Sequence, residues 1–321
     1  MQIIEQLNNT DKTLFSFEIL PPLKGKSINS IYESIEPLLE YKPAFVNVTY
    51  HREQFIYKKR EKGYLEKIAI KRRPGTVGIC AAIKNKYNIE TIPHLICGGF
   101  TKEETENALI DLHFLGINNV LALRGDPIKT EPHFIPEVGG NKYAVDLVNQ
   151  IVNLNNGNYI DENIENATPT NFSIGVAGYP EKHFEAPNMK TDIKRLKEKI
   201  DAGAHYIVTQ LIYDNQKFFN YVKLCRDSGI EVPIIPGIKP IELLRHITFL
   251  PKFFHIDLPE TLTNQLEKCK SDEEVRKVGI KWAIQQSKEL IDFGVPCIHY
   301  YTMGKSTAVK EIAEAVFKQN N

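Results

Sequence analysis

The sequence predicts an α/β fold of the (βα)8 TIM-barrel class, as a single domain over residues 1–321, from three observations. Eight short runs rich in β-branched and aromatic residues recur along the chain. Segments with helical periodicity separate them, an alternation that gives parallel strands joined by crossover helices. Polar, chemically capable side chains collect at the C-terminal ends of those runs, the end at which barrels of this class build their sites. The length of 321 residues, with 42% apolar and 25% charged content, suits one large barrel.

The eight strands are read, in order, at LFSFEI (14–19), FVNVTY (45–50), TIPHLIC (91–97), NVLAL (119–123), FSIGVAG (172–178), YIVTQLI (206–212), VPIIPGI (232–238) and PCIHYYT (296–302). Between the third and fourth, TKEETENALIDLHFLG (101–116) has a capping box in Thr101 and Glu104 and a stop at Gly116. NMKTDIKRLKEKIDAG (188–203) places Ile193, Leu196 and Ile200 on one face and ends at Gly203. The Asn-rich stretch 153–171 is an excursion before the fifth strand. The segment 240–295 exceeds one helix and contains Pro251 and Pro259, so two or three helices are expected before the last strand. No internal repeat or low-complexity linker marks a boundary.

Forty basic residues balance forty acidic ones, leaving no overall field for nucleic acid or an anionic membrane. The opening MQIIEQLNNTDK lacks the pattern of a secretion signal and no run of about eighteen apolar residues occurs, so a cytoplasmic protein is expected. Five scattered cysteines without CxxC spacing predict buried thiols, with neither disulfides nor a metal site.

The strand ends collect Glu18, Thr49, Tyr50, His94, Arg124, Asp126, Tyr179, Gln210 and the segment TMGK (302–305). Alternation in the first strand puts Phe15 and Phe17 on one face and Ser16 and Glu18 on the other. With the phenylalanines toward the helices, Glu18 points into the barrel mouth, where desolvation raises a carboxyl pKa and suits it to donate a proton near neutral pH. The competing reading is a salt-bridged rim glutamate. Arg124-Gly125-Asp126 reads equally as a tight turn with a solvated ion pair, His94 as a core histidine and Gln210 as a backbone partner. MGKS (303–306) is no phosphate loop, because position 299 is His299 where that motif needs glycine; neither GxGxxG nor GxSxG occurs.

FSFEILPP, FVNVTYH, PHLIC, VLALRGDP, GVAGYPEKH, KIDAGAHYIVTQ and IIPGI occur in the order found in the methylenetetrahydrofolate reductase family, and the chain resembles that family from residue 15 to about 310. The resemblance implies a barrel that binds FAD, accepts hydride from NADH or NADPH in a ping-pong cycle, and reduces 5,10-methylenetetrahydrofolate to 5-methyltetrahydrofolate for methionine synthesis. Glu18 then takes the general-acid position, protonating N10 so that the substrate ring opens to a 5-iminium cation. Asp126 takes the position between flavin and pterin, and Gln210 that of a pterin-binding amide. FAD contacts fall on Thr49, His94, Arg124, Gly125, Asp126, Tyr143, Ala144, Tyr179, His183, Ala186, Asp192, Arg195 and Lys199, with Arg124 and Lys199 suited to the diphosphate.

The chain departs from the family pattern in places. Arg195 and Glu198 stand where some relatives carry an amide and an arginine, and His246 and Leu250 stand at a folate-contacting amide and an aromatic stacking position. Lys305 replaces an arginine near the folate tail, retaining charge without bidentate geometry. The resemblance implies a homo-oligomer and, with no regulatory domain following the barrel, no response to S-adenosylmethionine. Two other readings are a different flavin barrel, such as a proline dehydrogenase-like oxidoreductase, and a catalytically silent flavin- or folate-binding regulator; retention of Glu18, Asp126 and Gln210 argues against the second.

Overall fold

A computed structural model describes residues 2–128 and 130–318. The chain begins with α1 (Ile3–Asn8), β1 (Leu14–Ile19) and α2 (Asn29–Ile35), then β2 (Phe45–Val48), β3 (Gln54–Lys59), β4 (Leu65–Ile70) and α3 (Thr76–Tyr87). Strands and helices then alternate through β5 (Glu90–Ile96), α4 (Lys102–Phe114), β6 (Asn119–Leu123), α5 (Ala144–Asn155), β7 (Ser173–Gly178), α6 (Met189–Asp201), β8 (Tyr206–Leu211), α7 (Asn215–Asp227) and β9 (Ile234–Ile238). Three helices, α8 (His246–Phe254), α9 (Glu260–Leu266) and α10 (Asp272–Phe293), precede β10 (Cys297–Tyr301) and α11 (Thr307–Phe317).

Eight parallel strands close in the order β1-β10-β9-β8-β7-β6-β5-β2, so each expected strand takes its place in the barrel. What the sequence reading missed is the antiparallel pair β3–β4, which pairs only with itself outside the barrel. Its strands have six residues each, but the charges that interrupt them break the apolar alternation on both sides of the turn at Glu61–Gly63.

Alternation along the strands sorts two cores. Phe15 and Phe17 of β1 turn outward and pack with helix residues such as Ile35, Leu38 and Ile312. Inward positions Phe45, Ile92, Leu121, Tyr206, Val208, Ile235 and Cys297 fill the barrel, closed below by Ile3 and Leu7 of α1. The Asn119 side-chain oxygen accepts from the Ile3 amide at 2.8 Å, which fixes that plug. Gly175 makes room for Tyr206: a Cβ there would lie 2.4 Å from the ring.

The expected capping box at Thr101 and Glu104 forms, and α6 starts at the Asn188 cap. Helices α8–α10 enclose a third cluster that includes Leu211, Tyr213, Leu250, Leu262 and Val275. Four of the five cysteines are buried, and all are free thiols. No helix among the described residues is long and apolar enough to cross a membrane.

Candidate active site

Glu18 is the second-last residue of β1, paired in register with Asn47 on one side and Tyr301 on the other. As the alternation requires, it points to the same side as Ser16, opposite the outward phenylalanines. Its side chain is 13% exposed, and the His94 ring, 10% exposed, brings Nε2 to 3.6 Å from a Glu18 oxygen. That contact is no ion pair at neutral pH. Burial pushes the Glu18 carboxyl up to about 8 and, with a smaller push from His51, pulls His94 down to about 3. Between those limits an uncharged acid faces an uncharged imidazole, since neither finds an opposite charge strong enough to offset desolvation. The salt-bridged rim reading of Glu18 is therefore not what the fold builds.

Beneath the acid lies a polar layer that the sequence reading did not single out. Asn47 Nδ2 lies 3.3 Å from His94 Nε2, and Ser16 Oγ lies 2.9 Å from His299 Nδ1. Asn47 Oδ1 and His299 Nε2 are buried without a partner among the described residues, the usual condition of atoms that meet water or ligand. Tyr301 donates its hydroxyl to the Thr209 carbonyl at 2.7 Å, and Gly237 leaves the space its ring occupies. The signal for the three side chains passed over was parity: Asn47, His299 and Tyr301 share the inward register with Ser16 and Glu18.

Gln210 takes the inward position near the end of β8, half-buried. Its Oε1 accepts from the Leu211 amide at 2.9 Å, while its Nε2 has no partner among the described residues. The backbone-partner reading thus accounts for half of the amide only. Thr49 follows β2 directly, with Oγ1 3.4 Å from His51 Nε2.

Around the ends of β6 and β7 a charged cluster assembles. Arg124 forms a two-pronged pair with Glu185 and lies 5.0 Å above the Phe134 ring. Gly125 turns the chain at φ +85°, and Asp126 beyond it is exposed, its charge reaching Arg124 and Tyr179. Tyr179 stacks edge-on against His183 at 4.7 Å, Asp192 accepts from the His183 amide at 3.0 Å, and Ala186 is buried nearby. Lys199 donates to the Ala177 carbonyl at 2.6 Å; burial pulls its pKa down to about 8 although Asp192 opposes the fall. Tyr143 and Ala144 open α5, where the Tyr143 carbonyl meets Cys97 Sγ at 3.4 Å. Arg195 is an exposed side chain of α6 whose charge reaches Glu185 of the same cluster.

The folate-end positions are less uniform. Lys305 is exposed on the loop after β10, without an ion-pair partner among the described residues. Close to it in charge is Lys239, which the sequence reading passed over: it is buried and held at 2.6 Å by Glu242. His246 is buried, its Nδ1 accepting from the Glu242 amide at 3.2 Å, and desolvation lowers its pKa to about 4. Leu250 is fully buried in the α8–α10 cluster with Leu211 and Tyr213, so its role here is packing; as a stacking surface for a ligand it is covered. Among the described residues no cluster of His, Cys, Asp or Glu has the geometry to hold a metal.

This barrel mouth, with an uncharged acid at its first strand and a basic and aromatic rim across from it, occurs in a chain that a methylenetetrahydrofolate reductase family model matches over residues 3–316. The chain belongs to that family. It is 34% identical over 310 residues to methylenetetrahydrofolate reductase (NADH) 1 of Arabidopsis thaliana, covering 94% of this chain and 48% of that one. It is 30% identical over 294 residues to the 5,10-methylenetetrahydrofolate reductase of Salmonella typhimurium, covering 91% and 86%. The chain thus spans about half the length of its eukaryotic relatives and most of the bacterial one. Among solved structures, a Clostridium thermocellum protein described as binding two copies of 5-methyl-5,6,7,8-tetrahydrofolic acid shares the fold, with a TM-score of 0.57, 16% identity, and coverage of 97% and 96%.

Proposed function

We propose that this chain is an FAD-dependent reductase that converts 5,10-methylenetetrahydrofolate to 5-methyltetrahydrofolate with NADH or NADPH, in two half-reactions at one site. The observation that carries the reading is the uncharged Glu18 carboxyl at the barrel mouth of a chain of this family. An acid with a pKa of about 8 is a proton donor at neutral pH, whereas a solvated glutamate would already have lost its proton.

The residues present fit a flavin nucleotide. Arg124 and Lys199 are the cations for its diphosphate, and Tyr179, His183 and Ala186 form the rim between them. Arg124 is engaged by Glu185, so the guanidinium fork would hold a diphosphate in place of that carboxylate. Bound FAD would supply hydride transfer from the pyridine nucleotide to the folate.

The chain's own part is positioning and proton transfer. Glu18 donates to N10 of the substrate, which opens the five-membered ring and leaves a cationic N5-methylene carbon able to accept hydride. The exposed carboxylate of Asp126 favours that cation electrostatically. Gln210 Nε2 is free to hold the pterin edge, and Lys305 to meet the folate carboxylates. His94 has lost its basicity through burial, so it stands beside the acid without drawing off its proton.

The test separates the half-reactions. Glu18→Gln is expected to keep FAD bound and reducible by pyridine nucleotide under anaerobic conditions, while methylenetetrahydrofolate reduction falls by a factor on the order of a hundred or more, the usual contribution of a general acid. Loss of both half-reactions together would assign Glu18 to cofactor holding, and unchanged folate reduction would remove it from the mechanism.

A further inference from the structure

Among the described residues, one basic nitrogen lies within 4.0 Å of the Glu18 carboxyl, His94 Nε2 at 3.6 Å. Burial keeps that ring from taking the proton outright, but a neutral imidazole nitrogen is still a hydrogen-bond acceptor. A protonated carboxyl turned toward it would be held there, because a hydrogen bond from the neutral acid stabilises the neutral form. For the acid to keep its proton free for the mouth, that lone pair must be occupied.

Asn47 occupies it. Its Nδ2, a donor only, lies 3.3 Å from His94 Nε2, so Nε2 accepts and the single proton of the neutral ring sits on Nδ1. The register brings the two together: Asn47 pairs with Glu18 on β1 and with Ile92 on β5, and His94 follows two residues along β5. Packing alone does not account for an amide at this place. Asn47 is fully buried, its inward neighbours Phe45 and Ile92 are apolar, and its Oδ1 has no partner among the described residues. An apolar side chain of the same size would avoid that unmatched acceptor.

The other polar groups around the acid are engaged elsewhere. Tyr301 of β10 donates its hydroxyl to the Thr209 carbonyl at 2.7 Å, and Thr302 donates to the backbone carbonyl of Glu18 at 2.6 Å. His299 meets Ser16 Oγ at 2.9 Å through Nδ1, and His51, after β2, meets Thr49 Oγ1 at 3.4 Å.

We propose that Asn47 is a positioning residue for the general acid: by holding His94 Nε2 as an acceptor, it leaves the Glu18 proton for the substrate. Resting on the folate-reductase reading above, this role is exerted through His94, since the buried amide itself stands beneath the mouth.

Two measurements test it. In wild type labelled at the histidine ring nitrogens, the His94 resonances, assigned by their loss in His94→Gln, are expected to show a protonated Nδ1 and an unprotonated Nε2 at neutral pH. This readout needs neither substrate nor a change at Asn47, and a protonated Nε2 in wild type would overturn the proposal. In the FAD-loaded full chain, Asn47→Leu is expected to slow methylenetetrahydrofolate reduction about tenfold, the effect of one neutral hydrogen bond redirected onto the acid. The loss should fall on kcat and leave KM and the rate of flavin reduction by NADH or NADPH unchanged. The alkaline limb of folate reduction should move to higher pH, because His94 then stabilises the protonated acid. Loosened packing would do the reverse, admitting water, moving that limb down toward an ordinary carboxyl and slowing both half-reactions; that result, or an unchanged profile, would overturn the proposal. Should Asn47→Leu fail to fold, the tautomer in wild type decides. A wild type that shows the Nδ1 tautomer and reduces no methylenetetrahydrofolate would overturn the reductase reading, whereas an active wild type protonated at Nε2 would overturn the role of Asn47 alone.

Discussion

At the scale of single residues, Glu18 owes its chemistry to what the barrel withholds from it. Its nearest polar neighbour, His94, is as desolvated as the acid, so neither supplies the charge that would ionise the other. The linkage to stability follows in sign. Below pH 4.5 the carboxyl is protonated folded or unfolded; between 4.5 and about 8 the unfolded chain ionises and the folded one does not. Wild type should therefore lose stability as pH rises through that window, and Glu18→Gln should not. The variant's melting temperature is expected to match wild type near pH 4 and exceed it near pH 9, since each tenfold displacement of the proton equilibrium is worth about 1.4 kcal/mol. A pH-independent difference between the two would show that the carboxyl is solvated.

At the scale of elements, strand parity decides which side chains meet. β1 places Ser16 and Glu18 inside, β2 adds Asn47, and β10 adds His299 and Tyr301, so one polar layer caps an apolar barrel interior. Where a bulky ring must enter that interior, a glycine on the neighbouring strand yields the space. Gly175→Ala on β7 would bring a Cβ within 2.4 Å of the fully buried Tyr206 ring on β8. The substitution is expected to cost about 1–3 kcal/mol, as overpacking of a dense core does, read as a lower urea midpoint at constant slope. A midpoint unchanged from wild type would mean that the strands part easily there.

At the scale of the whole molecule, the barrel is closed at one end by packing and left open at the other for chemistry. α1 seals the N-terminal end: Ile3 and Leu7 join the interior cluster, although this helix is short and lies outside the strand–helix alternation. Ile3→Ala should destabilise by about 2–5 kcal/mol, the cost of a cavity in a core, while the affinity for the FAD proposed to bind at the far end stays the same. Coupled loss of flavin affinity would show that the plug and the mouth are mechanically linked. The helical insertion α8–α10 has its own small core, which claims Leu250 and keeps it from the mouth.

The sequence by itself determined the barrel, its eight strands and the inward direction of Glu18, because strand periodicity and helix caps are local properties written in adjacent residues. Family membership was legible too, through short motifs at strand ends. Tertiary structure alone decided the protonation of that acid, since desolvation depends on His94, Asn47 and Tyr301 arriving from three other strands. It also decided that Arg124 is already held by Glu185, 61 positions away, and that Leu250 is buried. The β3–β4 hairpin was hidden for the complementary reason: its pairing is local, but its apolar residues face no core, so the alternation that reveals a strand was diluted by the charges among them.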